Sequence, residues 1–318
     1  METEQLHAIW AKEDPFIEDF EAASRNCSKD EYEQLLSEPR TIHFMLKPTE
    51  DGLSELSTMP PLYDVKANLS LIPGRITVNQ FENRLSERWS GAYQGIPLSL
   101  RTIIRIRKIA EFYGKQQHFD FIIVDTSPSL GALNKVIIST VDGFVIPALP
   151  DMFSLYGIRN IGNSLTHWKR EFDTIYQLIS EEKRDSFPKK FVRFLGYTIY
   201  NAKKYSGDTQ WNLAKAHLNY ALQIPDTSCK FIGEEVRAHL PNQFVHEPIG
   251  GVSVMHTHNT LPNMAQKYKS PIWEVPDKFL LEEEDRSTIR ANAVIYRNTK
   301  EAYRMFAASF LERVETLD

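Results

Sequence analysis

Residues 118–151 read HFDFIIVDTSPSLGALNKVIISTVDGFVIPALPD. Two apolar runs stand in it, Phe121-Ile122-Ile123-Val124 and Phe144-Val145-Ile146. Both are rich in β-branched or aromatic residues and too short for a helix, so each reads as a strand. Between them, Ser129 to Thr140 sets Leu130, Leu133, Val136 and Ile137 at helical spacing, with Ser129 positioned to cap the first turn. A strand, helix, strand order with both strands apolar on both faces predicts a parallel sheet covered by helices on its two sides.

Asp125 directly follows the first run. A carboxylate there stands at the carboxyl end of a strand, the edge where open α/β sheets bind ligands, and in phosphate-handling enzymes such an aspartate holds the magnesium shell. The same pattern also arises where an aspartate simply caps a loop.

The run from Phe119 to Leu165 resembles the Walker B strand and following segments of the ParA/MinD family of ATPases. The family's aspartate, two residues, proline, serine, leucine and glycine correspond to Asp125, Pro128, Ser129, Leu130 and Gly131. Its next strand, ending in a proline-containing turn that leads into a helix, is matched by Asp142-Gly143, Pro147, Pro150 and Ser154 to Gly157. The resemblance reaches back to Asn68–Gly74, forward to Phe194-Leu195-Gly196-Tyr197 and thinly to Met264-Ala265-Gln266 and Pro271-Ile272, so it spans the chain from about residue 27.

The resemblance implies an α/β fold, three-layered, with a mostly parallel sheet flanked by helices in the manner of P-loop NTPases. It implies ATP and magnesium as cofactors, Asp125 and Pro128 on the magnesium side, and Asn201, after the strand at 191–200, against the adenine ring. An asparagine ending a strand also makes an ordinary turn. The family's glycine-rich loop of the KGGxGKT kind cradles phosphate with backbone N–H groups and a lysine. No such loop occurs in this sequence. Gly114-Lys115 is followed by Gln116 and Gln117, without the hydroxyl residue that contacts magnesium. The aspartate-rich switch is missing too, and the chain is expected to begin near where that switch would end.

Three functions follow as expectations. The first is a truncated or degenerate partition-type ATPase with little or no ATP hydrolysis. The second is a pseudo-ATPase that forms a homodimer or binds a partner protein, and the third a DNA-binding or nucleotide-binding protein without turnover. Lys189-Lys190 and Lys203-Lys204 are too short to make a DNA footprint on their own.

The 318 residues leave room for a sizeable core, and a single domain over 1–318 is expected, with a divergent helical segment at 1–27 and a closing helix at 285–318. Hydrophobic residues at 42%, charged residues at 25% and the lack of any long apolar run predict a cytoplasmic protein with no membrane span. Cys27 and Cys229 lack metal-ligand spacing and read as free thiols. A net charge of −5 gives no general pull toward nucleic acid.

Elsewhere, a helix over residues 3–24 should break at Pro15, and Ser28-Lys29-Asp30-Glu31 is a capping box. Pro48, Asp51 and Gly52 should open a loop. The helix at 98–113 has a wide apolar stripe, which sets Arg101, Arg105, Arg107 and Lys108 on its solvated face. His256 and His258 have alternate spacing that suits a metal on one side of a strand, but the further ligands zinc needs are not in pattern, and loop histidines are the simpler reading.

Overall fold

The computed structural model of the chain describes residues 3–127, 129–205, 210–251 and 256–317. They divide into two units, residues 1–141 with 168–191, and residues 142–167 with 192–318.

The first unit opens with α1 (Thr3–Glu18), α2 (Phe20–Asn26), α3 (Lys29–Leu36) and α4 (Ile42–Glu50). The capping box forms as read: the Ser28 hydroxyl accepts the Glu31 N–H, and the Glu31 carboxylate accepts the Ser28 N–H. The break expected at Pro15 does not occur, because α1 continues to Glu18 with Pro15 inside it. Phe16, Ile17 and Phe20 pack with Leu35, Leu36 and Phe44, and this burial outweighs the one helical bond that proline forfeits. Likewise α4 runs through Pro48 to Glu50, and the expected loop starts only after it. Its ion pairs hold it, Lys47 meeting Glu50 at 3.0 Å and Asp51 at 2.9 Å, together with a hydrogen bond between His43 Nε2 and Glu50 at 3.0 Å.

The strand expected near residues 68–72 forms, though not in a buried sheet. β1 (Tyr63–Lys66) and β2 (Leu69–Leu71) make a two-stranded antiparallel hairpin turned at Asn68, with Val65, Leu69 and Leu71 exposed. Then follow α5 (Asn79–Ala92), α6 (Pro97–Gln117) and α7 (Ala132–Thr140), which bury Phe81, Leu85, Ile103, Ile109 and Val136. The unit also takes the later part of α8 (Met152–Leu178) and α9 (Glu181–Arg184).

Two expectations about the deciding stretch are overturned. Phe121–Val124 joins no sheet. Its four side chains are exposed, Ile123 to 84%, and no backbone hydrogen bond is made by Ile122, Ile123 or Val124 among the described residues. An apolar run becomes a buried strand only where a neighbouring backbone completes its hydrogen bonds, and no described strand does so here. The helix after it starts at Ala132 instead of Ser129. Gly131 is its N-cap, and Leu130 lies exposed outside it.

In the second unit, β3 (Gly143–Ala148) and β4 (Arg193–Ile199) pair in parallel, as the α/β reading requires. Among the described residues the parallel sheet has these two strands, with one isolated parallel bridge besides, between Ala202 and His256. Phe144 packs against Phe194 with the rings tilted and their centroids 5.3 Å apart, and the register then skips Leu195, so that Val145 faces Gly196. The first part of α8 packs closely at Gly162, where a Cβ would lie 2.4 Å from the Phe231 carbonyl oxygen. After β4 come α10 (Lys215–Ala221), α11 (Ile224–Phe231), α12 (Glu234–Arg237), α13 (Asn242–His246) and α14 (Leu261–Lys267). The closing segment is two helices, α15 (Glu283–Ala291) and α16 (Ala293–Val314), where one was expected. Ile289 and Tyr296 carry them onto Leu261, Ile272, Val275 and Leu281.

Candidate functional site

Asp125 lies in the first unit on an exposed, non-helical segment, two residues before Ser127. That segment is tied down from α7. The Asn134 amide donates to the Ser127 and Ser129 carbonyl oxygens at 2.5 and 2.6 Å, and the two serine hydroxyls meet at 3.2 Å. Asn134 is therefore buried by the loop that it organises, a role absent from the sequence reading.

The α7 N-terminus is the place in this segment where unsatisfied N–H groups and the helix dipole would welcome an anion. Glu82 of α5 occupies it. Its Oε1 accepts the Leu133 N–H at 3.4 Å and sits so close over Gly131 that a Cβ there would come within 1.8 Å. Lys135, on the next turn, is held away from any phosphate: Nζ pairs with Glu171 at 2.6 Å and lies 3.7 Å from the centre of the Trp89 ring. Magnesium triphosphate needs free N–H donors and an uncommitted cation near the metal-holding aspartate. These residues do not fit that group.

Asn201 lies in the second unit, exposed, just after β4. Its φ of 55° is the left-handed conformation that asparagine tolerates at a turn, consistent with the turn reading of this residue. Pro128 lies outside the described residues. Neither histidine of the alternate pair gathers ligands. His256 Nε2 meets the Trp211 carbonyl oxygen at 2.9 Å, and no group of three or more His, Cys, Asp or Glu side chains suited to a metal occurs among the described residues.

The basic residues of α6 are placed differently from the expectation. Arg105 is only 4% exposed and forms an ion pair with Glu55, and Arg107 donates to the Thr140 carbonyl oxygen. Arg101 donates to the Leu53 carbonyl oxygen at 2.9 Å. A sequence pattern sets a residue on a helix face but not the loop that folds over that face. The 53–59 loop covers this one and leaves a cavity of about 760 Å³ beneath it.

Residues 42–178 match the family model of an AAA domain, of the ParA/MinD type. Among solved structures, protein DIP2308 from Corynebacterium diphtheriae is similar at 19% identity and a TM-score of 0.50, over 65% of this chain and 70% of that one. That likeness concerns the fold. No curated protein matches the chain. No helix among the described residues is long and apolar enough to cross a membrane.

Proposed function

We propose that this chain, whose residues 42–178 match the family model of an AAA domain, is a ParA/MinD-like nucleotide-switch domain without the phosphate-gripping loop. It turns over little or no ATP by itself and acts through a second copy or a partner protein. The observation that carries this reading is the Glu82 carboxylate seated at the α7 N-terminus, in the segment that follows Asp125. A phosphate arriving there meets a negative charge in place of open N–H donors.

Phosphoryl transfer depends on positioning and on neutralising charge. Asp125 supplies the magnesium side of such a site and lacks its anion side. In this reading Asp125, Pro128 and Asn201 are the inherited nucleotide-facing positions, the β3–β4 pair belongs to a three-layer, mostly parallel sheet, and the protein works in the cytoplasm. Titration calorimetry of the full chain with ATP and magnesium tests it. The expected result is no saturable heat at millimolar ATP, whereas a saturable one-to-one isotherm contradicts the reading.

A further inference from the structure

The cavity beside α6 belongs wholly to the first unit and is separate from the segment around Asp125. Its floor is apolar, made by Leu100, Ile104 and Ile109 with Met59 from the covering loop. Its wall is cationic: Arg101, Arg105, Lys108 and Lys183 line it against one carboxylate, Glu55. Glu55 is taken by Arg105, and Lys108 pairs with Glu111 at 2.8 Å. Arg101 and Lys183 have no carboxylate partner among the described residues; they donate to the carbonyl oxygens of Leu53 and Gly95, each at 2.9 Å.

A second observation points the same way. The Nε atoms of Arg101 and Arg105 are buried and have no acceptor. A guanidinium presents five donors, and leaving one buried without an acceptor costs free energy that an incoming anion can recover. Burial is also the largest influence on Arg105 and draws its pKa below the usual guanidinium range, against the opposing pull of the Glu55 carboxylate.

We propose that this cavity is a binding site for a small amphiphilic anion, an elongated apolar body carrying one carboxylate, sulfonate or phosphate head. The volume falls within the range of about 300–1,000 Å³ usual for small-molecule sites. The floor decides against a partner helix, because Leu100 and Ile104 are each only 7% exposed and a helix laid across the opening would not reach them. A single chain inserted end-on reaches the floor and leaves its head among Arg101, Lys108 and Lys183.

The experiment is titration calorimetry of the full chain with dodecanoate and dodecyl phosphate below their micelle concentrations, with dodecyltrimethylammonium as the sign-reversed control. One-to-one binding of both anions is expected, with the cationic analogue at least tenfold weaker. Arg101→Gln combined with Lys183→Gln should weaken dodecanoate at least tenfold, and Arg101→Lys should stay within threefold of the parent. Should the double variant lack a cooperative melt, Lys183→Gln alone, on the short surface helix α9, gives the reading through a several-fold loss. Equal binding of anion and cation overturns the proposal, as does unchanged binding in the neutralised variants. So does binding of an acidic helical peptide where dodecanoate does not bind.

Discussion

Gly196 leaves the space that the Arg313 guanidinium fills: a Cβ at this position would lie 2.6 Å from Nη1. Arg313 is 1% exposed and uses that space to donate to the carbonyl oxygens of Leu195 at 3.2 Å, Phe244 at 2.5 Å and Glu247 at 2.8 Å, with its Cζ 4.7 Å from the centre of the Phe244 ring. The closing helix is thereby fastened to β4. Gly196 also has φ +121°, which L side chains rarely adopt. Gly196→Ala should therefore destabilise the protein by about 2–4 kcal/mol, combining backbone strain with a displaced buried charge. Urea unfolding checks this. Gly157→Ala, in α8 with nothing within 4 Å of the added carbon, is the control and should be neutral or stabilising by up to about 1 kcal/mol.

The Glu82 cap makes a prediction about coupling. Glu82→Ala removes the acceptor for Leu133 N–H, and Gly131→Ala drives the same carboxylate away by crowding. Each should cost about 1 kcal/mol, the usual worth of an N-terminal cap. Since both lose one interaction, the double variant should cost little more than either single one. Full additivity in a thermal or urea double-mutant cycle would separate the two residues.

Acid sensitivity is expected from Glu50. Burial raises its pKa, but the hydrogen bonds from His43 and Lys47 and the Lys47 charge prevail and bring it below the ordinary value of 4.5. The unfolded chain then takes up this proton at a higher pH than the folded one. Stability from the group is present above 4.5 and is lost as pH falls through the lower folded value. In Glu50→Gln the decline of stability between about pH 5 and 3 should be shallower than in the parent. An unchanged slope in urea melts across that range would count against the cluster.

Hydrogen exchange should distinguish the two apolar runs. Amides of Ile122, Ile123 and Val124, exposed and without backbone hydrogen bonds among the described residues, should exchange at close to unprotected rates. Amides of Val145 and Ile146, in the parallel pair with β4, should be protected at least tenfold more. Strong protection of Ile123 in a monomer would mean that a strand partner is found.

What the sequence disclosed was what rests on near neighbours. Ser28 and Glu31 stand three residues apart and form their box. The helical spacing from residue 98 onward becomes α6, and the β-branched run at 144–146 becomes β3. What it withheld depends on segments far away in the chain. The Phe121–Val124 pattern records that the run suits a buried strand but not whether a neighbour exists to pair with it. Arg105 occupies a charged position on a helix, and only Glu55, fifty residues earlier, buries it as an ion pair. Glu82 at the α7 N-terminus has no local signal at all, since it reaches Leu133 across 51 residues. The resemblance to the ParA/MinD family agrees with the AAA-domain family model that matches residues 42–178, while the roles of Asp125, Pro128 and Asn201 rest on the proposal.

The central claim is that Asp125 has no phosphate to organise. Phosphate release from ATP and magnesium by this 318-residue chain, measured beside Asp125→Ala and a no-protein blank, tests it most directly. The account predicts that parent and variant both stay at the blank, and release well above the blank in the parent that disappears in Asp125→Ala would contradict it.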